Sequence, residues 1–148
     1  MRTSQVLRSS SEEETRSIGL TLGETLQPPR VVLLSGELGA GKTVLTQAMA
    51  AGLEVEDLSL VRSPSFTLIN EYPSARGRVY HVDLYRLEGA DDFHSIGLEE
   101  ILDREAVVII EWGEKLDLPV NDPVRVRILV DPVSDERLLE IDFGQERG

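Results

Sequence analysis

The stretch Gly36–Thr43, with the sequence GELGAGKT, holds the residue types that bind phosphate. It matches the pattern G-x-x-x-x-G-K-[ST] at every fixed position. Glycines allow main-chain angles that a side chain would forbid, so successive amide N–H groups can surround an anion. The lysine adds a positive charge for the β- and γ-phosphates, and the hydroxyl that follows it can ligate magnesium. The pattern therefore predicts a nucleoside triphosphate site.

The elements on either side of this stretch are those that a phosphate-binding loop requires. Val31–Ser35 is an apolar run, which is typical of a strand buried on both faces. Thr43–Leu53 carries Leu45 and Met49 at helical spacing, and Gly52 suits a helix end. A helix that begins at the loop directs the positive end of its dipole at the phosphate. We expect the nucleotide to be held by the loop residues Leu38, Gly39, Ala40, Gly41, Lys42 and Thr43.

A magnesium ion at such a site needs a further carboxylate, usually at the end of a buried strand. Glu111 ends the run AVVIIE, and Asp83 lies in YHVDLYR. Either carboxylate could bind the ion directly, or through water while the other orients the attacking water. Glu111 is favoured as the ligand, because the apolar residues before it predict a buried strand.

Two further segments have alternative interpretations. The segment SPSF, Ser63–Phe66, lies between the predicted helix and the next predicted strand, where a nucleotide switch would sense the γ-phosphate. Its hydroxyl would come from Ser63, Ser65 or Thr67, although a plain proline turn explains the composition equally well. Trp112 follows Glu111 directly and could stack on a base or a partner, or cap the core.

The rest of the pattern predicts one α/β domain over residues 1–148. Ser11 and Glu14 fit a helix capping box, and Thr3–Leu7 fits a short edge strand. Two antiparallel hairpins are predicted, one over residues 65–85 and one over residues 124–143. A weak helical pattern over residues 88–105 is broken at Gly97. We expect a three-layer, P-loop NTPase-like fold with a mixed, mainly parallel central sheet plus antiparallel hairpins.

The composition narrows the classes of function. The formal net charge is -12, which disfavours nonspecific binding of nucleic acid or of an anionic membrane by this chain alone. The chain has no cysteine, so thiolate metal sites and cysteine nucleophiles are excluded. The apolar runs are too short to span a bilayer. We expect a cytoplasmic protein.

Three classes of phosphate-loop protein are alternative interpretations of the sequence. A GTPase is disfavoured because Asp83–Arg86 lacks the glycine of D-x-x-G and Glu114–Asp117 has glutamate where the guanine-reading motif has asparagine. A small-molecule kinase would need an arginine-bearing lid, and the only room for one, residues 86–104, is acidic. A nucleotide-driven switch that acts on a partner protein fits the short chain better, either as an ATPase or as a noncatalytic nucleotide-sensing module.

Four motifs occur together in an order typical of one family. GELGAGKT, SPSF, YHVDLYRL and VVIIEW resemble those of the bacterial TsaE (YjeE-type) ATPases of tRNA threonylcarbamoyladenosine synthesis, and the similarity runs from about Ser11 to the last hairpin. The resemblance implies binding of ATP and Mg²⁺ and action on the TsaB–TsaD protein pair, whose TsaD subunit modifies adenosine 37 of certain tRNAs. It implies ATP hydrolysis that is weak alone and rises on that pair, with tRNA contacted only through the complex.

The resemblance also assigns roles to single residues. Lys42 would bind phosphate, Thr43 and Glu111 would hold magnesium, and Asp83 would be a catalytic acid near the γ-phosphate. Glu12 and Arg137 lie in segments that enclose the nucleotide in relatives. SPSF becomes a first switch and HVDLYR a second, and the residues implied to hold a switch or face a partner are Ser63, Ser65, Thr67, His81, Tyr85, Arg86 and Trp112.

The sequence departs from the usual family pattern at two positions. Ser65 replaces the usual threonine of the first switch, which keeps the hydroxyl and loses a methyl group. Gly113 replaces the proline that usually follows the E-W pair. We expect Gly113 to loosen the chain where it leaves the strand.

Overall fold

A computed structural model describes residues 2–37, 39–61, 69–85 and 97–145. The strands of this part of the chain are β1 (Arg2–Ser9), β2 (Arg30–Gly36), β3 (Ile69–Ser74), β4 (Gly77–Asp83), β5 (Val107–Glu111), β6 (Val124–Val130) and β7 (Arg137–Gln145). The α-helices are α1 (Glu12–Thr25), α2 (Lys42–Gly52) and α3 (Leu98–Leu102), and short 3-10 helices cover Leu58–Leu60 and Gly113–Lys115. None of these described helices combines the length and the apolar character needed to cross a bilayer.

The strands form one mixed sheet in the order β1-β7-β6-β2-β5-β4-β3. The four central strands, β6, β2, β5 and β4, run parallel to one another. Antiparallel pairing extends the sheet on both sides, through β3 on one side and through β7 and β1 on the other. This confirms the predicted mixed sheet. Because parallel strands end at the same edge, the residues after β2, β4 and β5 meet there.

Both faces of the sheet carry a core. On one face the alternate apolar residues of the strands pack against α1 and α2. On the other face they pack against α3 and the segment that follows β5. Every residue of β5 is buried, as its apolar run predicts for a strand covered on both sides. The described residues thus form the predicted three layers.

Helices α1 and α2 approach each other closely at glycines. A Cβ atom built on Gly23 would lie 2.2 Å from the Met49 carbonyl oxygen, and one built on Gly52 would lie 2.4 Å from the Leu20 carbonyl oxygen. Real Cβ atoms do not tolerate such distances, so these two positions require glycine for the helices to meet as they do.

An arginine holds the ends of the same two helices. Arg76, in the turn between β3 and β4, donates from Nη1 to the carbonyl oxygens of Gly23 (3.3 Å), Glu24 (3.1 Å) and Gly52 (3.2 Å). Its Nη2 donates to the carbonyl oxygen of Leu26 at 2.6 Å. Helix C-termini leave carbonyl groups without intrahelical partners, and one guanidinium serves several of them here.

The start of α1 carries the predicted cap with one difference. The Ser11 hydroxyl accepts a hydrogen bond from the Glu14 amide at 3.1 Å. The Glu14 carboxylate accepts from the amide and the hydroxyl of Ser10, not from Ser11. These bonds from Ser10 hold the pKa of Glu14 below its usual value. The cap fixes the chain where β1 turns into α1.

Candidate nucleotide-binding site

The described part of the loop between β2 and α2 contains two glycines with positive φ angles. Gly39 and Gly41 have φ angles of 79° and 109°, and Gly41 directly precedes the first residue of α2. No atom lies within 4 Å of a Cβ built on Gly41, so glycine is needed there for its backbone conformation and not for space. The loop therefore places its amides at the N-terminus of a helix, as an anion site requires.

Lys42 is buried at the start of α2. Its side chain is 6% exposed, and Nζ donates to the Gly36 carbonyl oxygen at 2.5 Å. The same atom lies 3.7 Å from the centroid of the Trp112 ring, which is a close cation–π contact. Burial lowers the pKa of Lys42, and the nearby charges of Glu111, Glu114 and Asp83 oppose that shift. The Lys42 ammonium therefore contacts both the loop and the face of the Trp112 ring.

The two predicted carboxylates come together at the carboxyl edge of the sheet. Asp83 ends β4 and Glu111 ends β5, and the two are register partners on adjacent parallel strands. Glu111 is 3% exposed, whereas Asp83 is half-buried. Burial raises the pKa of Asp83, the hydrogen bond donated by the Tyr85 amide (2.9 Å) lowers it, and the charge of Glu111 raises it. The site therefore holds two carboxylates near one lysine.

His81 is bonded to Glu111 and does not reach the surface. His81 has an exposure of 0%, and its Nε2 lies 2.6 Å from Glu111 Oε2. Its Nδ1 lies 3.1 Å from the hydroxyl of Tyr72. Of the two roles that the resemblance implied for His81, its burial disagrees with facing a partner, and holding a switch stays a prediction. The sequence held a signal for the observed position, because His81 and Asp83 are two residues apart on β4 and so lie on one face of the sheet.

Trp112 and Tyr85 form an aromatic pair beside Lys42. Their ring centroids are 5.0 Å apart, and Tyr85 is 50% exposed. Lys115 Nζ donates to the Tyr85 carbonyl oxygen at 2.7 Å. Trp112 also packs against the core on the α3 face, so its ring contacts both that core and the loop lysine.

Gly113 does not loosen the chain after β5. A Cβ atom built there would lie 2.8 Å from Leu33 Cβ and 3.0 Å from Leu33 Cα, so the glycine lets this segment pack directly against β2. A 3-10 helix begins at Gly113, and the amide of Leu116 donates to the Gly113 carbonyl at 3.1 Å. The expectation of a loosened exit was wrong, because the missing side chain permits close packing.

A cleft of about 250 Å³ lies beside the loop. It is lined by the end of β1, the start of α1, the loop and the start of β7, including Glu12 and Arg137. Arg137 donates from Nε to the Ala40 carbonyl at 2.9 Å and from Nη2 to the Gly39 carbonyl at 3.3 Å. The structure thus brings Glu12 and Arg137 next to the loop, as the resemblance implied for a nucleotide enclosure.

Thr43 is exposed as the second residue of α2, where its side chain can be reached from solvent. Five other predicted site residues lie outside the described residues, namely Leu38, Ser63, Ser65, Thr67 and Arg86. Their roles stay predictions.

The described residues fit a nucleotide-bound magnesium ion better than a metal cage made by protein alone. In the described part of the chain, no group of three or more His, Asp or Glu side chains is arranged to hold an ion. Magnesium is typically bound by one or two side chains together with nucleotide phosphates and water. Glu111, Asp83 and the Thr43 hydroxyl supply oxygen atoms of that kind. These oxygen atoms are of the kind that a magnesium ion shared with a nucleotide would take.

Comparisons with known proteins find one family. A family model described as "Threonylcarbamoyl adenosine biosynthesis protein TsaE" matches residues 9–138. A tRNA threonylcarbamoyladenosine biosynthesis protein TsaE from Aquifex aeolicus is 39% identical over 80% of this chain and 84% of its own length. The protein of that name from Nostoc sp. is 44% identical, over 82% of this chain and 74% of its own.

A solved structure shares the fold. The crystal structure of Bacillus subtilis YdiB superposes with a TM-score of 0.75 at 29% sequence identity, covering 96% of this chain and 86% of that one. A TsaE protein from Bacillus subtilis is 34% identical over 92% of this chain. With the family model matching most of the chain, these similarities show that the chain belongs to the TsaE family.

Proposed function

We propose that this protein is a magnesium-dependent ATPase that supports threonylcarbamoylation of adenosine 37 in tRNA. The observation that carries the proposal is the convergence of Lys42, Asp83 and Glu111 beside a glycine-rich loop at the carboxyl edge of the sheet. Membership of the TsaE family supplies the pathway, because the relatives are named for threonylcarbamoyladenosine biosynthesis.

The residues divide the chemistry among them. Phosphoryl transfer to water needs positioning and charge neutralisation more than covalent help, and bound Mg²⁺ would neutralise phosphate charge. The loop amides and Lys42 would hold the phosphates, and Thr43 and Glu111 would hold the ion. Asp83, half-buried with a raised pKa, would orient the attacking water and accept its proton.

Lys42 has to change partners for this role. In the structure its ammonium is bonded to the Gly36 carbonyl and covered by Trp112. Binding phosphate would exchange those contacts for phosphate oxygens. The loss of those contacts would offset part of what the phosphate contacts contribute to binding.

The cleft beside the loop is proposed to receive the rest of the nucleotide. Glu12 and Arg137 lie on its walls, and Arg137 is anchored to the loop carbonyls of Ala40 and Gly39. An adenosine placed there would bridge α1 and β7. We propose adenine as the base because the guanine-reading motifs are incomplete in the sequence.

The proposed partners are the TsaD and TsaB proteins, with tRNA reached only through their complex, in the cytoplasm. The net charge of -12 supports this arrangement, since a polyanion such as tRNA is repelled by an acidic surface. The exposed Tyr85 beside Trp112 is suited to contact such a partner.

The proposal is tested by measuring release of phosphate from ATP with and without the TsaB–TsaD pair. We expect turnover to rise when the pair is added. Asp83→Ala should keep ATP binding but lose hydrolysis and tRNA modification, whereas Lys42→Ala should lose binding as well. An unchanged rate, with docking on the pair confirmed, would contradict the proposal.

The same assay separates the alternatives. A small-molecule kinase would transfer the phosphate to a metabolite and release little of it free. A nucleotide-sensing module would support tRNA modification in the Asp83→Ala variant, because occupancy without hydrolysis would be sufficient.

A further inference from the structure

We propose that His81, itself held by Tyr72, is a positioning residue that fixes the Glu111 carboxylate for magnesium. The inference rests on the proposed function. It attributes part of the protein's affinity for Mg²⁺ to two buried side chains, His81 and Tyr72, neither of which is proposed to touch the nucleotide. It follows from the geometry of one hydrogen-bonded chain that runs from β3 to the site.

The chain of hydrogen-bonded side chains crosses three adjacent strands. Asn70 Nδ2 lies 3.4 Å from the Tyr72 hydroxyl, which lies 3.1 Å from His81 Nδ1. His81 Nε2 lies 2.6 Å from Glu111 Oε2. The strand order β5-β4-β3 places these residues side by side on the face that carries α1 and α2.

The hydrogen-bonding capacities of the groups give the chain a direction. A carboxylate only accepts, so the Nε2 atom of His81 has to donate to Glu111. When Nε2 carries the only ring proton, Nδ1 accepts from the Tyr72 hydroxyl. The Tyr72 oxygen can accept in turn from the Asn70 amide. In that tautomer every donor points towards Glu111.

Burial limits the conformations that the side chains of this network can adopt. His81 is 0% exposed, Tyr72 is 2% exposed and Glu111 is 3% exposed. Buried polar groups that lose a partner carry a desolvation cost, so the carboxylate is held to the rotamer that keeps its bond to His81. Groups behind a metal ligand commonly orient it in this way, and their loss weakens metal affinity.

Glu111, the last residue of the hydrogen-bonded chain, lies at the candidate site. Glu111 pairs in register with Asp83, and its charge acts on Lys42. The network thus ends among the residues of the candidate site and not in the apolar core.

Three variants test the role, each compared with wild type. His81→Leu removes the donor, His81→Gln returns an amide donor to the position, and Tyr72→Phe removes only the hydroxyl that holds the imidazole. The matched control is Tyr80→Phe, which removes a buried hydroxyl on the other face of β4, where it accepts from Arg104 at 2.7 Å. Circular dichroism and urea unfolding establish that each variant is folded.

The readout is the affinity for a nonhydrolysable ATP analogue, measured by calorimetry with Mg²⁺ and with EDTA. We expect the Mg²⁺-dependent gain in affinity to fall about tenfold in His81→Leu, the lower end for loss of such a partner. It should fall about threefold in Tyr72→Phe, recover in part in His81→Gln and stay unchanged in Tyr80→Phe. The affinity in EDTA should match wild type in all four.

The outcomes separate this inference from the proposed function. Equal losses with Mg²⁺ and with EDTA, or no loss in folded variants, would overturn the positioning role and leave the ATPase proposal standing. Wild-type protein that binds the analogue equally well with and without Mg²⁺ would overturn both. If His81→Leu does not fold, Tyr72→Phe and His81→Gln decide the question against Tyr80→Phe.

Discussion

Helix α2 has a cationic side chain bonded to main-chain oxygens at each end, and the two ends differ in how the charge is satisfied. At the last turn, Arg76 donates to four carbonyl oxygens from the ends of α1 and α2. At the first residue, Lys42 donates to one carbonyl oxygen and is covered by an indole ring. The planar guanidinium suits fixed multiple contacts, whereas an ammonium on a flexible stem can change partners.

The last turn of α2 maintains the fold, and its first turn is available for a ligand. Arg76 joins two helices and a hairpin, so its bonds stabilise the folded state. Lys42 is buried with a lowered pKa, which means that holding its charge in place costs free energy. A bound triphosphate would remove that cost.

The largest effect is expected for Lys42→Met. Loss of the ammonium should reduce ATP hydrolysis by about 100-fold, as for other single groups that stabilise developing charge. The free energy of unfolding should change by less than about 1 kcal/mol, because an apolar chain of similar length replaces a desolvated cation. Phosphate release and urea unfolding measure the two quantities. Strong destabilisation would show that this end of α2 is structural like the other.

The opposite pattern is expected for Arg76→Met. Removing the charged donor from four carbonyl groups should lower the free energy of unfolding by about 3 kcal/mol and leave nucleotide affinity unchanged. The matched control is Arg78→Met in the same hairpin, because Arg78 is exposed and bonds to side chains, in an ion pair with Glu71 at 2.9 Å and to Tyr80, and not to the helix ends. Urea unfolding should separate the two variants clearly. Equal stability of both would remove the structural role from Arg76.

A smaller loss is expected for Gly23→Ala at the helix contact near Arg76. Helix propensity alone would favour alanine by about 1 kcal/mol. The added methyl group would meet the Met49 carbonyl, and such overpacking should leave a net loss of about 2 kcal/mol. Ser17→Ala, at an exposed position of α1, is the control for propensity. Thermal unfolding of the two proteins measures the difference, and a stabilised Gly23→Ala would show that the helices can move apart.

The smallest effect on the free energy of unfolding is expected for Asp83→Asn at the site. The pKa of Asp83 in the folded protein lies above its usual value of 3.8. At a pH above the raised pKa, the charged carboxylate therefore lowers the stability of the folded protein. At a pH below 3.8 the carboxyl group is protonated in both the folded and the unfolded protein, and this cost is absent. The variant should therefore be more stable near neutral pH, by less than about 1 kcal/mol because the half-buried group is screened. The gain should disappear as the pH falls towards 3.8.

Asp131→Asn is a control for which the expected change in stability has the opposite sign. Amide hydrogen bonds from Val133 and Ser134 lower the pKa of Asp131, so its charge adds stability that is lost as the pH falls. Thermal unfolding across a pH series should therefore show a loss near neutral pH for this variant. Parallel curves for the two variants would contradict the difference between the site and an ordinary turn.

The sequence predicted what local patterns encode. The spacing of GELGAGKT and the apolar runs before Gly36 and Glu111 defined the loop, the central strands and the two ends that carry the site. The pairing of His81 with Glu111 was missed, because it depends on β4 lying next to β5, which neither strand encodes alone. Arg76 was missed for a similar reason, since its partners come from the ends of two helices distant from it in sequence. The first switch and the extent of a single domain over residues 1–148 stay predictions.

The pairing of β1 with β7 has a consequence for how the outer edge of the sheet behaves. Ser9 and Arg137 are register partners at one end of that ladder, and both line the cleft beside the loop. Strand β1 pairs only with β7 among the described strands, so its amides should open to deuterium exchange ahead of the central strands. A molecule seated in the cleft would close this end of the ladder, and protection of β1 and β7 would then rise together.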